Sequence, residues 1–163
     1  TMIFRLSQKL AQKLNTRATT ALPLDDNPYS DRTCHMFTAD RTQYNNLSNK
    51  KTLYTVVRYG RGITDDGLFI DRALSTIRDF LEDDGQKIVF RRFIAPASHT
   101  VQFGKALNRS VTGSMNDMIY HAQMWLIEQD LSPFDVGFKL NEMPMSALGY
   151  ANPKDAFKKL ADT

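Results

Sequence analysis

The stretch Asn108-Arg109-Ser110-Val111-Thr112-Gly113-Ser114-Met115-Asn116-Asp117 is the strongest candidate for ligand chemistry in this chain. Arg109, Ser110, Gly113 and Ser114 precede or open a helix. Free amide groups and the positive end of a helix attract an anion there, and Arg109 can add a bidentate phosphate contact. Asn108, Asn116 and Asp117 complete the candidate set. The same residues also fit a plain helix cap. Ser114 with Asp117 three positions on resembles a capping box, with Asp in place of Glu, and Asn108 can bond backbone groups at a strand exit. Ser114, Asp117 and His121 do not make a triad. Positions 114 and 121 of one helix are separated by about 10.5 Å of rise, whereas a nucleophile and its base need roughly 3 Å. Asp117 and His121 can pair across one turn, and His121 stays open as a general base.

A second set of candidates lies in a basic hairpin. Arg41, Lys50, Lys51, Arg58 and Arg61 fall in a stretch from Arg41 to Thr64 without an acidic residue, and Tyr44, Tyr54 and Tyr59 are interleaved. In a strand Tyr54 and Arg58 share a face, which could stack bases and hold phosphates. The alternative is a solvated hairpin whose charge resists sheet-to-sheet pairing. Arg5, Lys9 and Lys13 form a third basic stripe beside Leu6, Leu10 and Leu14, and are expected to be a solvated helix face. Cys34 and His35 point to opposite faces of a strand, so they do not readily ligate one metal. With three histidines, no P-loop and no dinucleotide-binding glycine pattern, neither a metal nor a cofactor is expected.

The elements that position these groups can be read from periodicity and punctuation. Ile3 to Leu6 reads as a strand, followed by a helix capped by Ser7. Residues 15 to 33 are rich in turn-formers and read as a long loop. Cys34 to Ala39 reads as a strand. Tyr44 to Leu47 and Thr52 to Tyr59 read as a hairpin turning at residues 48–51. Thr64 is expected to cap a helix that buries Ile70, Leu74, Ile77 and Leu81 and ends at Gly85. Lys87 to Ile94 suits a strand or a short helix, with the strand preferred. Val101 to Lys105 reads as a strand. A long helix from Ser110 or Ser114 to about Glu128 is expected to bury Met115, Met118, Ile119, Ala122, Trp125 and Leu126. Ser132-Pro133 and Asn152-Pro153 are cap-and-first-position pairs for two more helices.

The order lacks a regular alternation of strand and helix, so the fold expected is α+β: an antiparallel sheet with helices packed mainly on one face. The 163 residues fit one domain, taken as residues 2–162, with Thr1 read as an addition ahead of a natural start at Met2. Apolar residues at 42% and charged residues at 24% are ordinary globular values. A formal charge of +3 permits a nucleic-acid partner without requiring one. No apolar run is long enough to span a bilayer. A single cysteine favours a reducing, cytoplasmic compartment.

The segment Asn108 to Asp117, with Asn49-Lys50-Lys51-Thr52-Leu53-Tyr54 and Leu6-Ser7-Gln8-Lys9-Leu10, resembles a family of small bacterial domains of unknown function often met on plasmids and other mobile elements. The resemblance runs from Met2 to Leu160. Thr112 stands where that family usually has an apolar residue, and Lys50 where an acidic one is common. Leu140-Asn141, Pro144, Leu148-Gly149-Tyr150, Pro153 and Phe157 resemble the tail of some integrase-type transposases. The three carboxylates such enzymes need cannot be placed here, and a helix, a turn and a docking helix account for the segment. The leading expectation is a non-catalytic binding or accessory module of mobile DNA, with an unknown protein or nucleic-acid partner and a possible homodimer. The alternatives are a nucleic-acid binder using the hairpin and an enzyme acting on a phosphorylated small molecule near Arg109, Ser110 and Ser114. If the hairpin and the 108–117 segment form one surface, each supports the other.

Overall fold

The first strand is buried along its whole length on both faces, and the rest of the fold is arranged around it. In the computed structural model, which describes residues 1–17, 20–106 and 109–160 without the side chains of 109–112, β1 (Met2–Leu6) lies inside a five-stranded sheet. The other strands are β2 (Asp31–Ala39), β3 (Thr42–Asn49), β4 (Thr55–Tyr59) and β5 (Val101–Lys105), in the order β4-β3-β2-β1-β5. β1 runs parallel to both β2 and β5, while β2, β3 and β4 form an antiparallel meander. The sheet is therefore mixed, not purely antiparallel as expected. Long crossovers carrying helices join β1 to β2 and β4 to β5, and such crossovers are what parallel pairing needs.

Helices cover both faces, a second correction. Met2, Phe4, Leu6, Cys34, Leu47 and Val56 point to one face, where they meet α1 (Gln8–Lys13), α2 (Asp66–Asp83) and α6 (Pro153–Lys159). Phe37, Ala39, Tyr44 and Val57 point to the other, beneath α4 (Arg109–Glu128) and α5 (Pro133–Asn141). The α2 stripe of Phe69, Ala73, Ile77 and Phe80 is fully buried. Burying one such large side chain contributes about 1.5–3 kcal/mol. Gly137 of α5 sits where a Cβ would meet Phe80 Cε2 at 2.8 Å, so only glycine lets α5 approach α2 this closely.

Ser7, Ser132 and Asn152 cap their helices as expected, whereas α2 is capped by Asp65, whose Oδ1 accepts from the Leu68 amide, and not by Thr64. Lys87 to Ile94 is not a strand. It is a helical turn, α3 (Lys87–Val89), that widens into a π-turn over Phe90–Ile94 and buries Ile94. The hairpin turn spans residues 50–54, and Leu53 takes a left-handed φ of 63° within it. No helix among the described residues is long and apolar enough to cross a membrane.

Candidate functional site

α4 begins at Arg109, so Gly113 and Ser114 lie in its second turn and their amides are within helical hydrogen-bonding range of the preceding turn. The capping box at Ser114 is thereby corrected: a residue this far inside a helix cannot cap it. Asn108 and the side chains of Arg109 and Ser110 lie outside the described residues. Gly113, Ser114 and Asp117 line an open cleft of about 570 Å³ with Met145, Ser146 and Ala147. Among the described residues its one charged wall is the Asp117 carboxylate. Asn116 is exposed. His121 Nδ1 lies 2.9 Å from the Asp117 carbonyl and 3.9 Å from its carboxylate, an exposed pairing along one helix face.

The hairpin residues are dispersed. Tyr54 is fully buried, stacked on Phe157 at 4.2 Å, and its hydroxyl donates to Asp84 Oδ2. It offers no face to a base, a correction to the stacking expectation. It lies in the turn before β4, so it does not share a strand face with Arg58. Lys50 and Lys51 line a cleft of about 790 Å³ at the opposite end of β3 from Arg41. Arg58 lines a separate depression beside α5, with Nε donating to the Tyr59 carbonyl. None of the clefts lined by hairpin residues shares a residue with the Gly113–Asp117 cleft. Among the described residues the two candidate surfaces share no lining residue.

Arg41 and Arg61 do come together. They line a recess of about 290 Å³ with Lys13, Thr42, Gln43 and Gly62. The three cations arrive from different parts of the chain: α1, the β2–β3 turn, and the segment leaving β4. Lys13, expected to be solvated, is half-buried, and its Nζ donates to Gln43 Oε1 at 2.5 Å and to the Gly60 carbonyl at 2.8 Å. Burial pushes its pKa below the ordinary lysine value. Among the described residues no carboxylate lines the recess. Asp40 and Arg41 form a two-residue turn with φ of 48° and 68°, the left-handed pair that a tight hairpin demands and that Asn-Gly normally fills. Arginine in that conformation is strained.

Two groups of interior polar residues escaped the sequence reading. Arg5 is in a strand and not on a helix face. It is fully buried, and its Nε and Nη2 each bond the Asp31 carboxylate at 2.8 Å. Its remaining donors hold the Leu22 and Pro23 carbonyls at 2.7 and 3.1 Å, which pins the long loop to the sheet. On the same face Thr33 Oγ1, His35 Nε2 and Asn46 Oδ1 are buried without hydrogen-bond partners. On the opposite face Arg32 is equally buried, yet its Nε and Nη2 bond no group among the described residues. Arg5 reads as part of a basic helical stripe with Lys9 and Lys13, and Asp31-Arg32 falls in a stretch that reads as loop, so neither arginine's burial is marked by its sequence neighbours. Among the described residues no group of three or more metal-ligating side chains converges.

A family model described as a domain of unknown function (DUF6933) matches residues 3–156. No curated protein and no solved structure matches the chain.

Proposed function

The chain belongs to the DUF6933 family of unknown function, and from that premise we propose a non-catalytic binding domain that grips a phosphate-bearing partner at the recess of Lys13, Arg41 and Arg61. The observation that carries the reading is the convergence of three cations from three separate segments on a recess without a carboxylate. Arg41 strengthens it, because a residue in left-handed backbone is held there at a cost of about 1–2 kcal/mol. The resemblance to domains met on plasmids supports an accessory role in mobile DNA. The buried, free thiol of Cys34 suits a reducing compartment.

Nucleic acid is the partner that the surroundings favour. Tyr59 is 52% exposed at the end of β4 and caps a stack with Tyr44 and Phe37, at centroid distances of 5.2 and 5.5 Å. An exposed ring backed by two others is a stacking platform for a base. It takes the part that Tyr54, in the interior, does not play.

Fluorescence anisotropy with a labelled single-stranded oligonucleotide over a range of salt concentrations tests the proposal. Affinity should fall with salt, each neutralised phosphate adding about 0.7 to the slope of log K against log salt. Arg61→Ala should reduce that slope by about one such step. Arg41→Gly should weaken binding while leaving the fold as stable or more so, since glycine relieves the left-handed turn. Absence of binding at low salt, or binding indifferent to both substitutions, would overturn the reading.

A further inference from the structure

Arg32 lies opposite Phe4 of β1 and Asn49 of β3 in the sheet register, and no part of it is exposed. Its Nη1 reaches the Leu47 and Tyr54 carbonyls at 3.3 and 3.5 Å, both long for an N–H donor. Its Nε and Nη2 have no partner, and no carboxylate reaches the group among the described residues. Those two nitrogens form one edge of the guanidinium. Their parallel N–H bonds match the two oxygens of a single carboxylate. Arg5 shows the same edge in use, with both nitrogens on Asp31. In Arg32 the edge is vacant.

Burial lowers the Arg32 pKa to about 10, so the charge persists at neutral pH. A buried charge without a counter-charge is costly, and the interior supplies none. An aromatic series leads outward from this point. Arg32 touches the Tyr54 carbonyl, Tyr54 stacks on Phe157, Phe157 meets Tyr29 edge-on at 5.4 Å, and Tyr29 stacks on Phe93 at 4.8 Å. Tyr29 and Phe93 line the cleft of about 790 Å³ together with Leu24, Asp31 and Leu160.

We infer that Arg32 anchors a binding site for a small organic monocarboxylate with an apolar or aromatic body, reached from the Tyr29–Phe93 cleft. One carboxylate neutralises one guanidinium and fills its free edge. The aromatic and aliphatic side chains along the series suit the remainder of the ligand. In the same cleft Lys50 and Lys51 offset Asp25 and Asp26, and Asp31 is held by Arg5, so its mouth does not repel a monocarboxylate. The single free guanidinium edge, matched to one carboxylate, separates this ligand from the phosphate-bearing partner of the Lys13–Arg41–Arg61 recess.

The test is an NMR titration of the arginine Nε–H resonances with phenylacetate, with acetate and inorganic phosphate as comparators. Phenylacetate should move the Arg32 resonance and leave that of Arg5 in place, because Arg5 is already occupied. Acetate should act only at higher concentration. Arg32→Lys keeps the charge but loses the two-pronged edge, and should weaken phenylacetate binding by about ten- to a hundredfold. An unmoved Arg32 resonance would overturn the inference, as would wild-type affinity in Arg32→Lys or a larger response to phosphate than to phenylacetate. If Arg32→Lys does not fold, the titration of the unaltered protein decides alone.

Discussion

Arg5 and Arg32 sit on adjacent strands, face opposite sides of one sheet, and are both wholly buried. Arg5 is surrounded by everything a guanidinium needs: a carboxylate on one edge and two backbone carbonyls on the other side. Arg32 has two distant carbonyls and a vacant edge. The first is scaffolding. Its partners come from β2 and from the loop that it ties down, so the charge organises the fold. The second does no comparable organising, and its desolvation is offset by little within the chain. Two identical side chains at equal depth thus differ in whether the protein itself completes them. An incomplete buried charge is the more informative of the two about binding.

The largest effect should come from breaking the complete pair. Asp31→Ala leaves the Arg5 guanidinium buried and uncompensated, which costs about 3–5 kcal/mol. Urea denaturation would measure it, and a loss below about 1 kcal/mol would mean that Arg5 finds water or another partner and is no scaffold. Removing the incomplete charge should have the opposite sign. Arg32→Met in the ligand-free protein should be neutral or stabilising by about 1–4 kcal/mol, in the manner of buried ionic groups replaced by well-packed apolar ones. A large loss of stability in Arg32→Met would make the two arginines alike, and the comparison would fail.

The contrast also explains what could be read from the sequence. Helices with period and cap signals are legible: Ser7, Ser132 and Asn152 cap where their residue types predict, and Ile77 and Leu81 of the α2 stripe and Met115, Met118, Ala122 and Leu126 of the α4 stripe are buried, while Ile70, Leu74, Ile119 and Trp125 are only partly covered. Strand direction was not legible, because residue alternation is the same in parallel and antiparallel pairing. Lys87 to Ile94 was misread because a short run of apolar and basic residues satisfies both periods. The candidate sites fared unevenly for a related reason. Arg41 and Arg61 are neighbours only through the two-residue turn at Asp40 and the path of the chain after β4. Tyr54 reads as a surface ring because a tyrosine's polar tip does not show whether its ring faces solvent or stacks on Phe157. The interior arginines were invisible because depth is a property of the packed sheet and not of the strand's own residues.

The smallest effect concerns the polar patch that shares a face with Arg5. His35 stands opposite Asn46 and two residues from Thr33, and its Nε2 is buried without a partner. Burial pushes its pKa below the ordinary value of 6.5. The folded state therefore prefers the neutral ring, while the unfolded chain takes up a proton near pH 6.5. The stability this preference contributes is present in full above that pH and is lost as the pH falls below it, until the folded-state ring also protonates. The slope from one proton cannot exceed about 1.4 kcal/mol per pH unit. Denaturation midpoints between pH 7 and 5 should fall more steeply in the unaltered protein than in His35→Gln. Equal pH dependence in the two would show that the ring already protonates freely in the folded state. The patch beside Arg5 would then be open to solvent, and the two faces of the sheet would differ in solvent access as well as in how their buried charges are paired.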